Sequence, residues 1–262
     1  MLSSPLILLD ANKIKKRLKK SSEKITVLEK IGSTNDYLKL HADQQVCLAE
    51  MQTQGRGRFN RSWHSPFGQN IYLSMRYAFQ KDLSELSGLS LITALAVCRA
   101  IESIISIRNL KIKWPNDIVI GSEKIAGILI DVSAESHGYC DAIIGVGINV
   151  NMQNAAKKEI KQLWSSLQKI TGKYIDRNVL SAAIINTVSD EIARFSKLGL
   201  SDFAKEWAEK DDLFGKSVVM LLEQKKITGI GAGINAQGHL MLKMPDKTLR
   251  AFSSGDASKD RV

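Results

Sequence analysis

The sequence predicts an α+β fold: a mixed, mostly antiparallel sheet flanked by helices, followed by a small C-terminal β-barrel. Three observations carry this. Strand-like runs between Leu110 and Asn151 are joined too tightly for parallel crossovers. Stretches with helical apolar spacing interrupt and follow them, above all Leu83 to Ile107, where Leu86, Leu89, Ile92, Leu95 and Ala96 fall on helical positions. From Phe214 onward the pattern changes to short strands and turns, over about fifty residues.

In chain order, Ala11 to Lys20 reads as a basic amphipathic helix with Ile14 and Leu18 on one face and a solvated lysine face. Ile25 to Glu29 is a strand. Ser33-Thr34-Asn35-Asp36 offers N-caps for a helix bearing Tyr37, Leu38 and Leu40. Val46 to Met51 is a strand entering a Gly/Arg-rich loop, Gly55 to Arg61, and Gln69 to Tyr77 is the next strand. In Leu110 to Trp114 strict alternation sets Leu110, Ile112 and Trp114 against Lys111 and Lys113. Ile118 to Ile120 and Ile125 to Val132 flank the turn Gly121 to Lys124 as a hairpin, and Ala142 to Asn151 is a strand interrupted by glycines. Helices are predicted at Ala155 to Thr171, Asp176 to Leu198 and Ser201 to Lys210. In the tail, turns fall at Gln224-Lys225 and Ala236-Gln237-Gly238. A boundary between Asp211 and Gly215 gives two domains, residues 1–212 and 213–262.

Composition narrows the function classes. With 262 residues, 44% hydrophobic and 24% charged, the chain is neither disordered nor collagen-like nor a disulfide scaffold. A formal charge of +10 favours acidic partners: nucleotide, nucleic acid or an acidic protein. Cys47, Cys98 and Cys140 are odd in number and form no Cys-x-x-Cys, against a zinc knuckle or a disulfide framework. At the N-terminus the charges follow the apolar stretch, the wrong order for a signal peptide, and no apolar run approaches the roughly eighteen residues of a membrane span. A reducing cytoplasm is the expected location. The four histidines lack metal-ligand spacing, so no protein metal site is expected. No Walker motif occurs, and the glycine stretches starting at Gly55 and Gly145 each lack the last glycine of a dinucleotide fingerprint.

Three stretches carry chemistry. The loop Gln52 to Trp63 combines glycines, which admit close backbone approach, with guanidinium groups able to hold phosphate or carboxylate, and Trp63 as a stacking face. It reads equally as a mobile basic loop or an RNA-binding Arg-Gly segment. Lys113-Trp114-Pro115-Asn116-Asp117 places an ammonium opposite a buried tryptophan, or is an ordinary turn. Gly145 to Asn151 offers a flat ligand surface, or is a bulged strand under a helix.

Their order and spacing together resemble those of the biotin protein ligases (biotin–[acetyl-CoA-carboxylase] ligases). The residues are GSTN at Gly32 to Asn35, AEMQTQGRGRFNRSWHSPFGQNIYLSM at Ala49 to Met75, KWPNDI at Lys113 to Ile118, KIAGIL at Lys124 to Leu129 and GVGINVN at Gly145 to Asn151. The resemblance runs from about Pro5 to the C-terminus. It implies a core sheet like that of class II aminoacyl-tRNA synthetases and an SH3-like barrel after it. It implies an ATP-dependent ligase that makes biotinyl-5′-AMP and passes biotin to a lysine of the biotin carboxyl carrier protein, with Mg accompanying ATP.

By the family pattern Ser33, Thr34, Asn35 and Gln52 lie in the biotin pocket, with Gly145 and Gly147 letting the ligand lie flat. Arg56, Gly57 and Arg58 close over the biotin carboxylate and phosphate, and Lys113 with Arg58 serves catalysis. Arg61, Trp63, Asn149 and Trp164 face ATP. The glycine-rich loop is the expected lid, ordering when ligand arrives. The GSTN motif begins at Gly32, leaving no room ahead of it for the DNA-binding domain of repressor-type relatives, so a monofunctional ligase is expected, without DNA or membrane partners. Family habit implies a homodimer through the central sheet. The rivals are a nucleic-acid-binding protein, a ligase for lipoate or another small acid, and a non-catalytic biotin binder.

Overall fold

The structure, a computed structural model, describes residues 6–20, 24–135, 139–155, 159–160, 162–222 and 225–260. Its helices are α1 (Ala11–Lys15), α2 (Thr34–Leu40), α3 (Leu89–Ile104), α4 (Leu167–Thr171), α5 (Arg177–Leu198) and α6 (Ala204–Lys210). The main sheet holds β1 (Ile25–Ile31), β2 (Val46–Gln52), β3 (Ile71–Phe79), β4 (Leu110–Lys113), β5 (Asp117–Ile120), β6 (Glu123–Glu135) and β7 (Tyr139–Ile148). Their order across it is β1-β2-β3-β7-β6-β5-β4. Only β1 and β2 pair in parallel; every other neighbouring pair is antiparallel. A parallel pair needs a crossover, and α2 lies in that connection.

Period-two alternation decides what each face of the sheet touches. Val46 and Leu48, Leu73 and Met75, Ile144 and Val146 join the main core with α3 and α5. Cys47 and Ile143 point the other way, to Leu38 of α2. Tyr72, Ser74, Gly145 and Gly147 share the parity of this second face, and Lys113 points away from buried Leu110 and Ile112. The α2 side of the sheet is therefore where chemistry-bearing residues collect.

Burial holds α3 in place. Leu91, Ile92, Leu95 and Val97 are all buried, each contributing roughly 1.5–3 kcal/mol. The predicted helix Leu83 to Ile107 is interrupted: a 3₁₀ turn covers Leu83–Leu86, and Gly88, at φ 90°, starts α3 afresh. By length and composition Leu83–Ile104 could cross a membrane, contrary to the expectation from the sequence, yet 61% of that window is buried inside the protein. It is core here.

Other boundaries shift. The predicted Ala11 to Lys20 helix shortens to α1, capped by the Asp10 carboxylate, which accepts from the Asn12 and Lys13 amides. The predicted helix Ala155 to Thr171 reduces to α4; residues 156–158 and 161 lie outside the described residues. Leu163 to Ser165 instead clip onto β6: Lys124 N donates to Leu163 O (3.0 Å) and Ser165 N to Lys124 O (3.1 Å). Backbone pairing to a sheet overrides the helical spacing there. Of the turn at Gln224-Lys225, Gln224 lies outside the described residues.

The C-terminal strands β8 (Ser217–Leu222), β9 (Lys225–Ile234), β10 (Leu240–Lys243), β11 (Leu249–Phe252) and β12 (Asp256–Lys259) form an antiparallel sheet of order β11-β10-β9-β8-β12. The sequence predicts a barrel; among the described residues no ladder pairs β11 with β12, so the sheet is not hydrogen-bonded shut. The unit is seated beside β4. Trp114 Nε1 donates to Gly238 O (3.0 Å), Asp212 N to Ile112 O (3.0 Å), and Lys259 Nζ to Gly121 O (3.0 Å).

Candidate functional site

Sheet register sets the floor of the site. Tyr72 pairs with Gly147, Gly147 with Gly127, Gly127 with Asp117, and Asp117 with Lys113. One row thus runs from β3 to β4 with two glycines at its centre and an ammonium at its end. Ser74, Gly145 and Leu129 form the next row. Above this floor is a cavity of about 760 Å³. Every site residue expected from the sequence lines it: Ser33, Thr34, Asn35 and Gln52 from the α2 side, Arg56, Gly57, Arg58, Arg61 and Trp63 from the loop, and Lys113, Gly145, Gly147, Asn149 and Trp164.

At the α2 end neutral groups on Thr34, Gln52 and Ser74 bond one another, and the ion pairs of Asp36 and Asp131 with Lys39 and Arg56 lie at the rim. Ser33 caps α2. Gln52 Oε1 accepts from the Thr34 amide (2.9 Å) and hydroxyl (3.1 Å). The Ser74 hydroxyl donates to Asn35 Oδ1 (2.6 Å) or Thr34 Oγ1 (2.7 Å). Asn35 Nδ2 reaches Asp131 Oδ2 at 3.1 Å. Burial acts to raise the Asp131 carboxyl, but hydrogen bonds from Lys39 and Asn35 and the charges of Lys39 and Arg56 outweigh it and hold the group below the usual range.

At the β4 end the groups are charged. Asp117 sits between two ammonium groups, with Lys124 Nζ at 2.7 Å and Lys113 Nζ at 3.4 Å. Lys124 and Asp117 are site residues to which the sequence reading gave no role, although both lie inside quoted motifs. The loop spans the top. Gly57 N donates to Arg61 O (2.7 Å) and Trp63 N to Gly55 O (2.8 Å), and Phe59 and Asn60 at its tip hold φ of 53° and 55°. Arg61 Nη2 meets Asp256 Oδ2 at 2.6 Å, and Arg58 Nη1 donates to Gly255 O at 3.2 Å. Burial pulls the Arg58 guanidinium below its ordinary value, against the opposing charges of Asp256 and Asp117. The loop is held by its own hydrogen bonds and by Gly255 and Asp256 at the start of β12.

Three expected roles meet different surroundings. Arg56 pairs with Asp36 and Asp131 at the rim. Asn149 gives its Nδ2 to Ser165 O (3.1 Å) and Lys124 O (3.4 Å), bracing the segment that carries Trp164. Trp63 itself lies against the glycine floor: a Cβ on Gly147 would come within 2.6 Å of its indole, and one on Gly127 within 3.2 Å. Its Nε1 is buried without a hydrogen-bond partner among the described residues. Lys124 Nζ stands 5.1 Å from the ring centroid.

The sequence profile of the Biotin/lipoate A/B protein ligase family matches residues 27–149, and that of the biotin protein ligase C terminal domain matches residues 213–260. The bifunctional ligase/repressor BirA of Salmonella typhimurium is 34% identical over 98% of this chain and 80% of its own length. The biotin–[acetyl-CoA-carboxylase] ligase of Mycobacterium tuberculosis is 28% identical over 88% of this chain and 87% of its own. Among solved structures, the biotin protein ligase from Aquifex aeolicus in complex with biotin and ATP superposes with a TM-score of 0.78 at 29% identity, covering 91% of this chain and 99% of that one. Fold, floor, loop and kinship agree, and the chain belongs to the Biotin/lipoate A/B protein ligase family, as an enzyme of its biotin protein ligase branch.

Proposed function

We propose that the protein joins biotin to ATP, giving biotinyl-5′-AMP and pyrophosphate, then transfers biotin to a lysine of the biotin carboxyl carrier protein of acetyl-CoA carboxylase and releases AMP. The supporting observation is the register row that ends a two-glycine floor on Lys113, beneath a loop bearing Arg58 and Arg61.

The biotin carboxylate oxygen attacks the α-phosphorus; the bond to pyrophosphate breaks and its electron pair leaves with it. Both reactants are anions, so their approach needs fixed cations. Lys113 and Lys124, held by Asp117 and the sheet, cost little to reorganise and stabilise the charge on the reacting oxygens. Arg58 and Arg61 exchange Gly255 and Asp256 for phosphate oxygens and exclude water from the mixed anhydride. Thr34, Asn35 and Gln52 offer neutral donors and acceptors suited to a ureido ring. Trp63 and Trp164 offer faces to the base.

Among the described residues no cluster of three or more His, Cys, Asp or Glu could hold a metal ion. Mg is proposed to accompany ATP on its phosphates, within reach of Asn149. Residues 1–212 would supply the catalytic core, like that of class II synthetases, and residues 213–262 an SH3-like barrel. Residues 253–255 link opposite edges of the C-terminal sheet, which supports a strongly curled form. The three cysteines are free and buried, and burial pushes the Cys47 and Cys98 thiols up to about 12, consistent with a reducing cytoplasm.

A carrier domain incubated with the protein, biotin, ATP and Mg should gain the mass of one biotin; no mass gain overturns the reading. Replacing biotin with lipoate separates the lipoate alternative by pyrophosphate release. Sedimentation with and without biotin and ATP tests the homodimer that the resemblance implies.

A further inference from the structure

A second cavity, of about 170 Å³, adjoins the first and is lined by Arg58, Ser90, Pro115, Ile128, Leu129 and Ile130. It shares Arg58, Ile128 and Leu129 with the large cavity. We propose that this slot receives the side chain of the acceptor lysine in the transfer step. The inference rests on the ligase reading above and adds to it the route of the second substrate.

The transfer step needs a path to the activated carboxyl that neither biotin nor nucleotide fills. The loop covers the large cavity from above through Arg58 and Arg61, which rest on Gly255 O and Asp256 and turn to phosphate oxygens in the adenylate. The slot borders the large cavity on its α3 side, where Arg58, Ile128 and Leu129 line both. At about 170 Å³ it lies below the roughly 300–1,000 Å³ typical of sites for whole small molecules, and suits one extended side chain.

Its chemistry suits an alkylamine. Pro115, Ile128, Leu129 and Ile130 give apolar walls for a run of methylenes. The Ser90 hydroxyl already donates to Pro115 O at 3.0 Å. Among the described residues no acidic side chain lines the slot, and none of them there favours an ammonium ion. Arg58, with Lys113 and Lys124 beyond it, favours the uncharged amine, the form that attacks. In the step itself the amine nitrogen bonds to the acyl carbon and the carbon–oxygen bond to phosphate breaks. The electron pair leaves with AMP, and the amine proton passes to water.

Ile130→Trp on β6 and Ser90→Trp on α3 fill the slot from two elements, and neither residue lines the large cavity. With biotin and ATP, single-turnover pyrophosphate release should stay within about twofold of the parent protein, while transfer from preformed biotinyl-AMP to a biotin carboxyl carrier domain slows at least about tenfold, about 1.4 kcal/mol in barrier. Ile130→Ala, which widens the slot, should transfer at the parent rate. Unimpaired transfer in both tryptophan variants, or equal loss in both half-reactions, overturns the slot. A parent protein that releases no pyrophosphate with biotin overturns the ligase reading instead, a result seen before any carrier is added.

Discussion

At the α2 end of the cavity Thr34, Gln52 and Ser74 hold one another through neutral hydrogen bonds, while at the β4 end Lys113, Lys124, Arg58 and Arg61 lean on Asp117, Gly255 and Asp256. The neutral end is a fixed shape. Its bonds among Thr34, Gln52 and Ser74 are indifferent to salt and leave defined donors and acceptors for a neutral ring, while the ion pairs of Asp131 and Asp36 stay at its rim. The charged end is exchangeable: its cations are held by internal partners that an incoming anion can replace, and its exposed pairs are screened by salt. One end is suited to selecting a substrate and the other to stabilising charge that develops during reaction.

The sharpest way to separate the two ends is Lys113→Ala. Pyrophosphate release measured by rapid quench should fall by about 10²–10³-fold, with biotin affinity by calorimetry nearly unchanged. Gly145→Ala attacks the neutral end. The new Cβ would stand 2.4 Å from Asn35 Oδ1, so the amide must leave Ser74 and Asp131. Biotin binding should weaken by roughly 1–3 kcal/mol, and lowering the salt should not restore it. Arg58→Gly removes one strap cation, and free biotinyl-AMP in the filtrate should rise about tenfold, about 1.4 kcal/mol of lost closure. Asp256→Ala only releases Arg61 from an exposed pair, so the same readout should move by less than about 1 kcal/mol, and high salt should mimic it in the parent.

The smallest effect is on stability. The folded Asp131 carboxyl is held below its ordinary 3.8, so its contribution is fully present above that pH and fades as pH falls through the lower folded value. The difference in Tm between the parent and Asp131→Asn should be constant near neutrality and shrink below about pH 4. A difference that grows on acidification would contradict the hydrogen bonds assigned to Asp131.

The motifs in the sequence located all fourteen expected cavity residues, because each motif sits at a strand end, a helix start or a loop facing the same side of the sheet. Alternation in Leu110 to Trp114 correctly set Lys113 opposite the core. What local pattern cannot carry is pairing across distance. Asp256 is 195 positions from Arg61, and nothing near either residue announces the contact. Asp131 and Ser74 brace Asn35 only through the register of β3, β7 and β6. Trp164 sits in an apolar spacing that predicts a helix, yet Lys124 recruits its neighbours into backbone pairing. Lys124 itself was legible: it opens the KIAGIL motif at the end of the hairpin turn, and Asp117 on the facing strand carries the carboxylate it meets.

The indole of Trp63 has a thermodynamic corollary. A buried donor with no acceptor among the described residues costs about 1–3 kcal/mol. A ligand that presents an oxygen to that nitrogen, or frees the ring to reach water, recovers this amount in addition to its own contacts. With four tryptophans in the chain, a change in emission on binding belongs to Trp63 only where Trp63→Phe abolishes it.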